Sequence, residues 1–113
     1  MFYLPENTEP AEAVIVRERA LNAEYGPIAP SFWFMYDNHR FAKLTGSAEE
    51  MGRQALRHME EDKFCGTVFV RERRDGKELR AFCVNGNYRN PGETRERIRE
   101  WVKNVGALLG ETV

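Results

Sequence analysis

The stretch SFWFMYDNHRFAKLTGSAEE, residues 31–50, decides the fold, because five successive residues near its start, 32–36, carry large apolar or aromatic side chains. Successive side chains of an extended strand point to opposite faces. One face of this strand would carry Phe32, Phe34 and Tyr36, and the other would carry Trp33 and Met35. A strand that is apolar on both faces is typical of a central strand covered on two sides, or of an outer strand whose second face meets a partner.

The second half of this stretch predicts a turn, a returning strand and a helix. Asp37-Asn38 has turn chemistry, and residues 41–44 can return as a short second strand. Ser47-Ala48-Glu49-Glu50 matches a capping box, in which the side chains of the first and last residue each accept a hydrogen bond from the other's amide. We expect this helix to reach about Asp62. Its face toward the sheet would carry Met51, Ala55, Leu56 and Met59.

A second hairpin is predicted in FCGTVFVRERRDGKELRAFCVNG, residues 64–86, with its turn at Asp75-Gly76. In a two-residue loop Arg74 faces Lys77, Val68 lies opposite Cys83, and Cys65 points to the other face of the sheet. In a three-residue loop Arg73 faces Lys77, and Cys83 lies opposite Thr67 and diagonal to Cys65. The diagonal spacing still fits a disulfide poorly. We therefore expect both thiols to be reduced.

Helices are expected at both ends of the chain. Thr8-Glu9-Pro10 looks like a helix start and Gly26-Pro27 like a stop. The β-branched run Val14-Ile15-Val16 would also suit a strand, but we predict a helix. Asn90-Pro91-Gly92-Glu93 opens a last helix that ends at Gly110. The apolar stripe of that helix is Ile98, Trp101, Val102, Val105, Leu108 and Leu109.

The elements together predict an α+β fold in the order α-β-β-α-β-β-α, with an antiparallel sheet and helices packed against it. A chain of 113 residues supports one hydrophobic core and not two comfortable ones, so we expect a single domain over residues 1–113.

Composition and charge narrow the function. No apolar run approaches the roughly 20 residues that cross a bilayer. The N-terminus lacks the pattern of a signal peptide, so a cytoplasmic location is expected. With 17 basic and 18 acidic residues the net charge is −1, and the overall field does not attract nucleic acid or anionic lipid.

The sequence carries no catalytic signature. It contains no phosphate-binding loop, dinucleotide fingerprint, zinc-protease helix or nucleophile elbow. His39, His58, Cys65 and Cys83 are its soft metal ligands, and their spacing matches no zinc motif. The sequence thus predicts no catalytic residues, no cofactor and no metal, and we expect that the protein is not an enzyme.

Two surfaces are candidates for partner binding. Trp33 and Met35 would be exposed if all the helices lay on the opposite face of the sheet. Positive charge is concentrated at the hairpin tip by Arg71 and Arg80, expected as a cross-strand pair, and by Arg73, Arg74 and Lys77. Glu72, Asp75 and Glu78 dilute it.

These observations favour a small binding protein that acts through a protein partner of unknown identity and self-associates through its sheet as a homodimer. Bacterial or phage accessory proteins have this general size and composition. The alternative is a nucleic-acid-binding protein that uses the Arg-rich hairpin at residues 71–80. A thiol or acid-base enzyme is the second alternative.

Overall fold

Five antiparallel strands form one sheet in the computed structural model, which describes residues 8–26, 30–36, 39–62, 66–72 and 77–111. The elements in chain order are β1 (Thr8–Pro10), α1 (Ala11–Tyr25), β2 (Ser31–Met35), β3 (Arg40–Leu44), α2 (Ala48–Asp62), β4 (Gly66–Glu72), β5 (Lys77–Gly86) and α3 (Pro91–Leu108). The strands lie in the order β1-β3-β2-β4-β5. The predicted α+β class and the order of its seven elements are confirmed, and β1 is an additional element.

The expected helix start at Thr8 is wrong, because residues 8–10 form an edge strand on β3. The Thr8 hydroxyl does not cap a helix. It accepts a hydrogen bond of 2.8 Å from Nε of Arg40, and a second guanidinium nitrogen of Arg40 donates to the Thr8 carbonyl at 2.7 Å. The helix begins after Pro10, which has extended backbone angles, and it includes the β-branched run at residues 14–16 as predicted.

An exposed ion pair joins α1 to β1. Arg17 donates to both carboxylate oxygens of Glu9, with 2.8 Å between Nη2 and Oε2. This hydrogen bond lowers the pKa of Glu9 below its ordinary value. The lowered pKa means that the pair adds stability above the ordinary carboxyl range and that its contribution is lost as the pH falls through the lowered pKa.

Helices cover both faces of the sheet. α2 and α3 pack on the face that carries Phe32, Phe34 and Tyr36 and form the larger core with it. α1 lies on the opposite face, where Val14 packs with Trp33 and Phe41. β2 is hydrogen-bonded to β3 on one side and β4 on the other. β2 is therefore a central strand with both faces covered, the first of the two arrangements predicted from its apolar residues.

The last helix is anchored by Trp101, which is 1% exposed and meets the Phe32 ring edge to face, with 5.9 Å between ring centroids. In the predicted stripe Ile98, Trp101 and Val105 are buried and Val102 is partly buried, but Leu108 and Leu109 are 43% and 40% exposed. Those two assignments are wrong because Gly106 already lies beside Ala48, where α2 begins. The last turn of α3 thus extends past the end of its partner helix.

The two helix starts on this side of the sheet are capped differently. The capping box of α2 is confirmed: the Ser47 amide donates to the Glu50 carboxylate at 3.3 Å, and the Glu50 amide donates to Ser47 Oγ at 3.2 Å. The start of α3 lacks such a box, because the Asn90 side chain bonds the Glu93 carboxylate and no backbone amide. The buried Thr94 hydroxyl instead bonds the amide and carbonyl of Asn87.

The β4–β5 hairpin follows neither of the expected registers. Its described pairs near the tip are Glu72–Lys77, Arg71–Glu78 and Val70–Leu79, and the tip itself lies outside the described residues. Arg71 therefore does not pair with Arg80. The next described pair is Val68–Val84, so the chain advances two residues along β4 but five along β5. Past this bulge of three extra residues, Val84 lies opposite Val68 and Asn85 lies opposite Thr67, so neither expected partner of Cys83 is correct.

Candidate functional site

α2 and α3 lie side by side and run antiparallel. The start of α2 meets the end of α3, where the Glu111 carboxylate accepts a 3.0 Å hydrogen bond from the Ala48 amide. At the other end, Arg95 donates to Glu60 at 3.1 Å. Gly52 permits the close approach between these ends, because a Cβ there would lie 2.5 Å from Cγ2 of Val102.

A groove of about 380 Å³ runs between these two helices. Its floor is apolar, formed by the buried Gly52 and Ile98 and by the partly buried Leu56 and Val102. Its rim is charged and exposed, and consists of Glu49, Arg53, Arg95 and Arg99. We refer to these eight residues as the α2–α3 groove.

The rim arginines are held only by exposed ion pairs of the same chain. Arg53 pairs with Glu49 at 3.0 Å, and Arg99 pairs with Glu96 at 2.9 Å. Side chains as exposed as these gain little from pairing, because water and salt screen the charges. Three arginines and one glutamate line the groove, and Glu60 and Glu96, which pair with Arg95 and Arg99, stand beside it, so the charges balance once these partners are counted.

The two edges of the sheet differ in character. β1 is three residues long and includes Pro10, which has no amide hydrogen to donate. β5 is ten residues long and pairs with β4, and the described residues include no strand on its outer side. α3 runs beside this edge: Arg97 donates to the Asn85 carbonyl at 3.2 Å. A cavity of about 440 Å³ lies there, lined partly by Arg97, Glu100 and Asn104.

Trp33 and Met35, predicted to bind a partner, lie beneath α1 at the second core cluster. Trp33 is 3% exposed, and its Nε1 donates to Ser31 Oγ at 3.0 Å. The Ser31 hydroxyl in turn lies 3.3 Å from a carboxylate oxygen of Glu18, which is also buried. The condition that would have exposed Trp33 and Met35, all helices on the other face, is not met.

The predicted arginine tip is only partly described. Arg71 lies in β4 opposite Glu78, and Arg80 lies in the bulged part of β5. Arg73 and Arg74 fall outside the described residues. Arg71 thus pairs with Glu78 and not with Arg80, so the direct cross-strand pair expected from the sequence is wrong.

The histidines and cysteines take separate places. Nδ1 of His58 is 2.7 Å from the hydroxyl of the buried Tyr36, and the His58 ring stacks on Phe34 with 5.1 Å between centroids. These contacts hold the His58 ring against the larger core. Cys83 is half-buried beside the second core cluster, and Cys65 falls outside the described residues. Within the described ranges, no three His, Cys, Asp or Glu side chains are grouped to hold a metal ion.

The α2–α3 groove is the site that the sequence analysis missed. The available signal is Gly52 beside the apolar stripe of α2, since a glycine inside a helix is often a point of close packing. A glycine alone does not show which helix packs against α2, so the groove can be recognised only once α2 and α3 are seen to be neighbours.

No family model matches the chain, and no curated protein or solved structure matches it either. None of the helices in the part of the chain that the structure describes is long and apolar enough to cross a membrane. The fold and its surfaces define a small α+β protein with a groove between two helices that is rimmed by three arginines, and with a sheet edge, β5, beside which the described residues place no further strand.

Proposed function

We propose that the protein is a non-enzymatic binding protein that acts through protein–protein contacts and self-associates through the open edge of its sheet. The observation that carries the proposal is the contrast between the edge β1, which has three residues and a proline, and the edge β5, which has ten residues with a bulge between Leu79 and Val84. An edge strand presents unpaired backbone donors and acceptors, which form a template for another strand.

A second copy of the chain is the partner that this edge fits. Antiparallel pairing of β5 with the β5 of another copy is an isologous contact, in which every interaction occurs twice about a two-fold axis. Such a contact closes at two subunits and joins two five-stranded sheets. Polar side chains of α3 beside the edge, Arg97, Glu100 and Asn104, would lie at the rim of this interface, where polar groups are usual.

We expect the solution mass to rise with protein concentration from 13.1 kDa toward twice that value. Light scattering after size exclusion measures the mass, and hydrogen–deuterium exchange locates the interface. The amides of β5 should exchange more slowly at high concentration, whereas those of the central strand β2 should be unchanged and serve as the internal control. A monomer at all concentrations, or a dimer whose β5 amides gain no protection, would contradict the proposal.

The rival function, nucleic-acid binding by the Arg-rich hairpin, is tested separately. Contacts to phosphate release counterions, so binding to a duplex should weaken with a log-log salt slope of about −0.9 per contact. We expect no such binding, because acidic residues alternate with the arginines and the net charge is −1. Fluorescence anisotropy with a mixed-sequence duplex and with RNA tests this. Submicromolar binding that Arg73→Glu/Arg74→Glu abolishes would establish the rival function.

A further inference from the structure

We propose that the α2–α3 groove binds an acidic, amphipathic segment of a partner protein, with an apolar side chain on the groove floor and carboxylates against the rim arginines. This inference extends the proposed protein-binding function to a second surface. It requires no pairing at β5, because the groove lies between two helices and the open edge lies at the end of the sheet.

The floor of the groove calls for an apolar occupant. Leu56 and Val102 pack against the larger core from its edge and are only partly buried. Ile98, between them, is 2% exposed. A volume of about 380 Å³ is at the small end of the range of ligand sites, which run from ~300 to 1,000 Å³. A groove of this volume can hold one or two apolar side chains of a partner. When they bind there, they would cover the exposed parts of Leu56 and Val102 and remove them from water.

The rim calls for carboxylates on both sides of that anchor. Arg95 and Arg99 are one helical turn apart on α3, and Arg53 faces them from α2. A guanidinium presents a planar set of donors that matches a carboxylate with two parallel hydrogen bonds. The glutamates that now pair with these arginines are exposed, so a partner can replace them at little cost.

The same features disfavour nucleic acid as the occupant. A phosphate backbone would use the arginines but would leave the apolar floor without a matching group. Glu49 lies in the rim itself, and Glu60 and Glu96 stand beside it. Counted with these carboxylates the groove has no net positive charge to attract a nucleic-acid backbone, so the apolar floor is the feature that separates the two kinds of occupant. Protein partners supply apolar anchors and acids together, as in the binding of amphipathic helices in grooves.

A displayed library of helix-forming peptides with random residues provides the probe. Selection on the intact protein should enrich peptides with a negative net charge and at least one large apolar residue. Affinities of the enriched peptides are then measured by anisotropy for the wild type, for Arg53→Glu and for Arg99→Glu. Each reversal should weaken binding about tenfold or more, a change of roughly 1.4 kcal/mol. The matched control is Arg19→Glu, the same change at an exposed position on α1, with an effect below about twofold.

Several results would overturn the inference. One is the absence of any enriched peptide, and another is enrichment of neutral or basic peptides. A third is binding that the Arg53 and Arg99 reversals leave unchanged. If a mixed-sequence RNA or duplex bound submicromolarly and lost affinity in the same two variants, the groove would be a nucleic-acid site. The mass and exchange measurements at β5 use no peptide, so either proposal can fail without the other.

Discussion

Replacing Trp101 with alanine should lower the free energy of unfolding by roughly 3 to 5 kcal/mol. The indole is 1% exposed, packs edge to face on Phe32 and lies in the core that joins α2, α3 and the sheet. The variant would lose the favourable free energy of burying the indole, and the residues around the remaining cavity would lose their packing contacts. Small domains have a total stability of about 5–15 kcal/mol, so this loss is a large share of it.

Urea unfolding followed by far-ultraviolet circular dichroism measures this loss without depending on the removed fluorophore. Leu109→Ala is the matched control, because Leu109 is apolar and near the same helix but 40% exposed. That control should change the free energy of unfolding by less than about 1 kcal/mol. If the two substitutions had equal effects, Trp101 would not be the anchor of α3.

Gly66→Ala should destabilise the protein by ~1 to 3 kcal/mol, or by more if the strand cannot shift. A Cβ at Gly66 would lie 2.0 Å from Cζ of Phe34. That ring is wholly buried and is held by Tyr36 and His58, with centroids at 4.9 and 5.1 Å. It cannot move aside without disturbing its neighbours, so the strain would be shared by β2, β4 and α2.

Gly92→Ala provides the control for Gly66, measured in the same urea experiment. Gly92 lies exposed in the first turn of α3, and a Cβ there would meet no atom within 4 Å. Alanine also favours a helix, so this change should be neutral or stabilising by up to about 1 kcal/mol. Gly66→Ala should therefore lower the free energy of unfolding, whereas Gly92→Ala should leave it unchanged or raise it. A neutral Gly66→Ala would show that β4 and Phe34 are less tightly packed than described.

Local chemistry accounts for the parts of the fold that the sequence predicts well. Ser47 and Glu50 form their capping box from residues three apart, and the start of α2 follows. The apolar side chains on either side of Phe34 point alternately to the two faces of the sheet and predict a strand that is apolar on both. Such a strand is buried when helices pack on both faces. These features depend on contacts within a few residues, or on burial alone.

The remaining features depend on contacts between distant segments. Pro10 favours a helix start in its local context, yet the bonds from Arg40 to Thr8 add a strand before it. The three-residue bulge in β5 depends on which residues of β4 it meets. Glu18 is a polar residue in a polar helix, and its burial follows from α1 lying over Ser31 and Trp33. The rim arginines line one groove only because α2 and α3 are neighbours.

The sheet separates the two tryptophans of the chain, one on each face. Trp101 reports on the larger helical layer, and Trp33 reports on the layer formed by α1. Among the described side chains, the second layer buries Val14, Trp33 and Phe41, a smaller cluster than the core under α2 and α3, so we expect this layer to open at lower cost. Because the Trp101→Ala variant retains Trp33 as its sole indole fluorophore, its emission maximum would move to longer wavelength whenever α1 leaves the sheet. In this variant the emission maximum of Trp33 therefore measures whether α1 is docked on the sheet.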